Sequence, residues 1–85
     1  MRIDLFLKLT RVIKQREAAK QSCQRGLVCI GGHPVKPSHE VRVGDRITID
    51  LLDRRLEIEV LEIPSGNVSK AQSLTLYRLL GTGSP

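Results

Sequence analysis

Aromatic residues are scarce in this chain, with one Phe, one Tyr and no Trp among 85 residues. Proteins that hold single-stranded nucleic acid stack bases on aromatic side chains, and with Phe6 expected in the core no such platform remains. Cysteine is scarce as well. Cys23 and Cys29 form no Cys-x-x-Cys pair and have no ligand cluster beside them, so reduced, partly buried thiols are expected, with no disulfide framework and no metal site. Also missing is any run of about 18 apolar residues, and the N-terminal segment lacks the long apolar stretch of a secretory signal, so no membrane partner and a cytosolic location are expected. No Gly-Lys-Ser or Gly-Lys-Thr follows Gly31-Gly32, so that pair is no phosphate loop. His33 falls in a glycine turn and His39 in a proline loop, and neither pairs with a nucleophile in a recognisable motif. Both read as exposed loop histidines, so no catalysis, cofactor or small-molecule substrate is expected.

Positive charge is what the chain has. Fourteen Lys and Arg stand against nine Asp and Glu, a net charge of +5, which favours a polyanionic partner. Its distribution is uneven. Residues 1–45 hold nine basic residues (Arg2, Lys8, Arg11, Lys14, Arg16, Lys20, Arg25, Lys36, Arg42) and four acidic ones, whereas residues 46–85 balance at five and five. The whole excess lies in the first half, as expected of a binding face carried on a neutral remainder. A chain this short buries only about 60% of its unfolded surface, enough for one core but not for a separate catalytic domain.

The apolar periodicity divides the chain at Gly26. Before it, Phe6, Leu9 and Ile13 recur at helical spacing behind Asp4, predicting a first helix over about 4–13 with Asp4 as its cap. Glu17, Ala18, Ala19 and Lys20 predict a second over about 16–25, with Cys23 in the core and Gly26 as the stop. After Gly26 the pattern is that of strands. Leu27 to Ile30, Gly31-Gly32 and His33 to Lys36 read as a small hairpin, with Pro34 and Pro37 confined to edges or strand ends. Val43-Gly44-Asp45 supplies a turn into a second hairpin, Arg46 to Leu51 and Leu56 to Ile63, whose apolar residues alternate with polar ones. Val68 to Ser73 reads as either a helical turn or a loop, Leu74 to Leu80 as an edge strand, and residues 81–85 as a disordered tail. The expected fold class is α+β, two N-terminal helices packed on a small, mostly antiparallel sheet.

On the first helix Lys8, Arg11 and Lys14 recur every three residues and so fall on one stripe. Arg16 and Lys20 share a face of the second helix. Two basic stripes joined by a short connection make a phosphate-tracking surface, in which arginines orient the backbone and lysines add affinity. Folded or helical RNA is expected over duplex DNA, because the sequence carries no recognisable major-groove recognition helix.

Several residues, taken in order, then resemble a known family. They are Arg2-Ile3-Asp4 with Leu7, Arg16 with Ala19, Gly26-x-Val28-x-Ile30 with Gly32, and Val41-x-Val43-Gly44-Asp45-x-Ile47-x-Ile49. This pattern over residues 1–50 resembles the RNA-binding domain of small-subunit ribosomal protein S-four. The opening Met-Arg-Ile-Asp-Leu-Phe-Leu-Lys and the late Leu-Tyr-Arg-Leu-Leu are similar to the stand-alone RqcP group, relatives of the fifteen-kilodalton ribosome-associated heat-shock protein. The resemblance implies an S-four-like (alpha-L) fold over residues 1–80 as a single domain. It further implies that rRNA and tRNA are bound on large subunits with an obstructed peptidyl-tRNA, and that alanine tailing by the RqcH factor is assisted. Carried over position by position, it makes Arg2, Arg11, Lys14, Arg16 and Lys20 the RNA contacts, with Lys36 and Arg42 as outer ones, and gives Asp4 a structural role beside an arginine. Two positions depart from the family pattern: Gln15 stands where a Ser N-cap is usual, and Gly31-Gly32 where Asn-Gly is usual. Two further readings stay open, a recycler of free large subunits or RNA chaperone, and an RNA-binding subunit of an RNA-modifying enzyme.

Overall fold

The computed structural model describes residues 1–83. Its elements, in chain order, are α1 (Ile3–Leu9), α2 (Arg16–Gln24), β1 (Val28–Ile30), β2 (His33–Pro34), β3 (Arg46–Asp50), β4 (Arg55–Val60), α3 (Lys70–Ser73) and β5 (Tyr77–Gly83). The strands form one antiparallel sheet in the order β2-β1-β3-β4-β5. The expected α+β class and the change of period at Gly26 both hold.

Alternation builds the core. Ile47 and Ile49 of β3 lie opposite Ile58 and Leu56 of β4, and Val28 of β1 opposite Ile49, so all five side chains share one face of the sheet. They join Ile3, Phe6 and Leu7 of α1 and Ala19 and Cys23 of α2 in a single buried cluster. Val60 and Leu76 extend it toward β5. Pro34 stands on the edge strand β2, where its missing amide costs no ladder bond.

The first helix differs from its expected span at both ends. It starts at Ile3, so Asp4 lies inside the first turn and Arg2 occupies the cap position without a side-chain cap. It ends at Leu9 and not near Ile13. The Thr10 hydroxyl donates to the Phe6 and Leu7 carbonyls at 2.9 and 3.1 Å, and Arg11 then turns left-handed at φ +62°. The Arg11 amide donates to Lys8 O at 3.0 Å and that of Ile13 to Leu7 O at 3.2 Å, so the left-handed residue after the C-cap turns the chain back over the helix end. Ile13 is buried even so, because the chain folds back beneath the helix end. Its helical spacing in sequence is therefore a coincidence of packing. The second helix matches its expected span, stopping before Gly26 at φ +76°.

The C-terminal region departs from expectation in its last strand, which runs Tyr77–Gly83 and not from Leu74, while the helical alternative before it holds. Val68 to Ser73 resolves into α3, whose N-cap Ser69 accepts from the Gln72 amide at 3.1 Å. The expected tail is partly strand. Gly81, Thr82 and Gly83 pair with Glu57, Leu56 and Arg55 of β4, so sheet pairing overrides the poor strand propensity of glycine. Ser84 and Pro85, assigned to the same tail, lie outside the described residues.

The N-terminal residues are tied to the loop after β2. The Ile3 amide donates to His39 O at 2.8 Å and the Val41 amide to Met1 O at 2.9 Å, with an isolated bridge between Arg2 and Glu40. This anchor fixes where Arg2 leaves the backbone.

Candidate nucleic-acid interface

All eight expected contact residues, Arg2, Lys8, Arg11, Lys14, Arg16, Lys20, Lys36 and Arg42, are exposed. The fold sorts them into two groups and leaves one apart.

The first group is organised by a buried carboxylate. Asp4 is 1% exposed, and its oxygens accept from Arg2 Nε at 3.3 Å and from an Arg2 terminal nitrogen at 3.1 Å. Oδ1 also accepts from the Leu5 amide at 2.7 Å, satisfying one of the donors a helix start leaves unpaired. A terminal nitrogen of Arg16, at the start of α2, lies 3.8 Å from the same oxygen. One carboxylate therefore holds two guanidinium groups side by side at the meeting point of the helix starts. A guanidinium carries five N–H donors, so each arginine keeps donors free for a second anion. The Arg2 and Arg16 side chains are 48% and 49% exposed, which leaves those donors facing solvent.

Arg2 also borders a groove of about 510 Å³ together with Lys20 of α2 and Lys36 after β2, walled by Gln24, Val35 and Pro37. Arg2, Arg16, Lys20 and Lys36 thus make one continuous basic face. The Arg16 side chain does not join Lys8, Arg11 and Lys14. It turns to Asp4, because a buried negative charge attracts it more than a cluster of like charges.

The second group is Lys8, Arg11 and Lys14. They do not form a helical stripe, since only Lys8 lies on α1. They meet through the left-handed turn at Arg11 and line a groove of about 540 Å³ floored by Leu9 and Val68. Lys70 of α3 completes it and was missed by the sequence reading. The Ser69-x-x-Gln72 capping pattern could have placed Lys70 on a helix start, but nothing local tells where that helix packs. Arg42 borders neither groove. Its amide donates to Asp45 Oδ2 at 2.9 Å in the turn before β3.

Cys23 touches the first groove from the core side and is only 4% exposed. Burial, reinforced by the negative charge of Asp4, pushes its thiol up from 9.0 to about 11. At pH 8 its thiolate fraction should be about a hundredfold below that of an ordinary thiol, so iodoacetamide should modify the half-buried Cys29 first. The folded value lies above the unfolded one, so the benefit of the neutral buried thiol is complete below about pH 9 and is lost as pH rises toward about 11. Thiol alkylation followed by mass spectrometry at pH 8 checks the order of modification, and equal rates at both cysteines would contradict it.

His33 and His39 are exposed, and neither borders either groove. Among the described residues no group of three or more His, Cys, Asp or Glu is placed to hold a metal ion, and no helix is long and apolar enough to cross a membrane.

The model of the S4 domain family matches residues 1–47, which carry the whole first group and most of the second. The chain is 33% identical over 79 residues to a protein of Halalkalibacterium halodurans named RQC P-site tRNA stabilizing factor, covering 93% of this chain and 89% of that one. It is 40% identical over 65 residues to a protein of the same name from Helicobacter pylori, covering 76% of this chain and 77% of that one. Among solved structures, the trimeric Heat Shock Protein 15 of Vibrio cholerae is similar at 29% identity and a TM-score of 0.84, covering 93% of this chain and 80% of that one.

Proposed function

This chain belongs to the S4 domain family, and from that premise we propose that its basic face binds rRNA and tRNA on the large ribosomal subunit without chemistry of its own. The bound state is the subunit whose peptidyl-tRNA is obstructed, and the protein steadies that tRNA while alanine residues are added to the nascent chain. The RqcH tailing factor is then its working partner, and the cytoplasm its location. The observation that carries this reading is the likeness, over 93% of the chain, to a protein named as a P-site tRNA stabilizing factor. The Asp4-centred pair of arginines gives the likeness a physical means. Two guanidinium groups held about one carboxylate can grip phosphate oxygens with little loss of side-chain freedom, and such contacts fix register on a folded RNA without reading bases. Arg2, Arg16 and Lys20 are the inner contacts on this reading, Lys36 an outer one on the same face, and Arg42 an outer one on its own.

Sedimentation of tagged protein from lysate, with identification of the co-sedimenting RNA, tests the proposal. Recovery of large subunits bearing peptidyl-tRNA is expected. Recovery of free large subunits alone would favour a recycling role, and an RNA-modifying enzyme in place of ribosomes would overturn the ribosomal reading.

A further inference from the structure

We propose that the groove between the end of α1 and α3 is a second RNA-phosphate site, in which Lys70, beyond the matched S4 region, acts together with Lys8, Arg11 and Lys14. The inference rests on the RNA-binding reading above and adds a separate surface to it.

Three observations support the site. Four cations and no carboxylate line the groove, and among the described residues none of the four is ion-paired. Of the other second-half cations, Arg55 pairs with Asp50 and Arg78 with Glu59. Lys70 has no such partner and shares its groove with three other positive charges. Like charges in one cleft raise the energy of the empty state, and an anion relieves it.

The second observation is the backbone at Arg11. A non-glycine residue at φ +62° occupies the position after a helix end that glycine usually fills. Glycine would relieve the strain but would remove the only guanidinium fork in the groove. Local strain of this kind is typical of binding sites, where the side chain and not the backbone sets the residue type.

The third is the floor. Leu9 and Val68 are partly buried apolar residues, and a low-dielectric wall behind the charges strengthens their pull on a phosphate.

The occupant is an RNA backbone and not a free phosphate ion. Four cations spread over a groove of about 540 Å³ exceed what one small anion can bridge. The groove also sits at the C-terminal end of α1, while the Asp4 arginines sit at its N-terminal end. At 1.5 Å rise per residue these ends are ~10 Å apart, so one backbone passing along α1 reaches both.

The test compares Lys70→Ala, Lys70→Arg and, as a control, Arg54→Ala at the exposed β3–β4 turn, using large subunits carrying peptidyl-tRNA as the probe at two salt concentrations. Lys70→Ala should weaken binding by about three- to ten-fold and lower the log–log salt slope by ~0.7–0.9, with the melting temperature unchanged. Lys70→Arg and Arg54→Ala should bind like wild type. Wild-type affinity and slope in Lys70→Ala, alongside weakened binding in Arg16→Ala, would overturn this site and leave the proposed function standing. Failure of the wild type to bind subunits would overturn both. Nuclear magnetic resonance shifts at Lys70 with millimolar inorganic phosphate but none with subunit RNA fragments would also overturn it.

Discussion

Asp4→Ala is expected to lower stability by about 2–3 kcal/mol and to weaken RNA binding at least ten-fold. The carboxylate is buried, and it satisfies the Leu5 amide near the helix start as well as fixing Arg2 and Arg16. Losing an acceptor for a buried donor costs about 1–3 kcal/mol, and charge-assisted hydrogen bonds contribute about 1.5–3 kcal/mol, here reduced because both arginines are half exposed. For a domain of this size each kcal/mol moves the melting temperature by about 4–8 °C, so thermal unfolding should shift down by about 10–20 °C. Circular dichroism melts measure it. A shift under about 3 °C would mean that the junction contributes little to the fold.

Arg16→Ala should behave in the opposite proportion, with small loss of stability and large loss of binding. Its 3.8 Å ion pair with Asp4 involves a half-exposed guanidinium, and such pairs contribute about 0–1 kcal/mol. Losing a charge-assisted phosphate contact costs ~1.5–3 kcal/mol of binding, ten-fold or more in affinity. One fewer neutralised phosphate should also reduce the salt slope by ~0.7–0.9. Melting temperature and affinity for large subunits at two salt concentrations separate the two effects. Unchanged affinity and slope, or binding lost only in step with unfolding, would remove Arg16 from the interface.

How far the residues alone foretell this molecule depends on the range of the interaction concerned. The change of period at Gly26 and the alternation of Ile47, Ile49, Leu56 and Ile58 are local signals, and the elements they imply are present. The end of α1 was illegible because Thr10 and Arg11 carry no strong breaker signal, and the fold-back of the chain buries Ile13 at what looks like helical spacing. Gly81 and Gly83 read as tail residues, yet their partners on β4 hold them in strand. Of the two basic groups, every member but Lys70 was legible as an exposed cation, and their grouping was not. Arg16 goes to Asp4 and Lys70 to Lys8, Arg11 and Lys14 through tertiary packing, which no short window of sequence reports.

On the proposed function the Asp4-organised arginine face binds the large subunit, and the sign of one affinity change tests it. Asp4→Asn keeps an acceptor for the Leu5 amide but adds one unit of positive charge to the protein. Were net charge all that mattered, this variant would bind RNA more tightly and with a steeper salt slope. If Asp4 works by holding Arg2 and Arg16 in place, it binds more weakly. The affinity of folded Asp4→Asn for large subunits carrying peptidyl-tRNA, measured against wild type at one salt concentration, is predicted to fall about ten-fold; an equal or higher affinity would contradict the account.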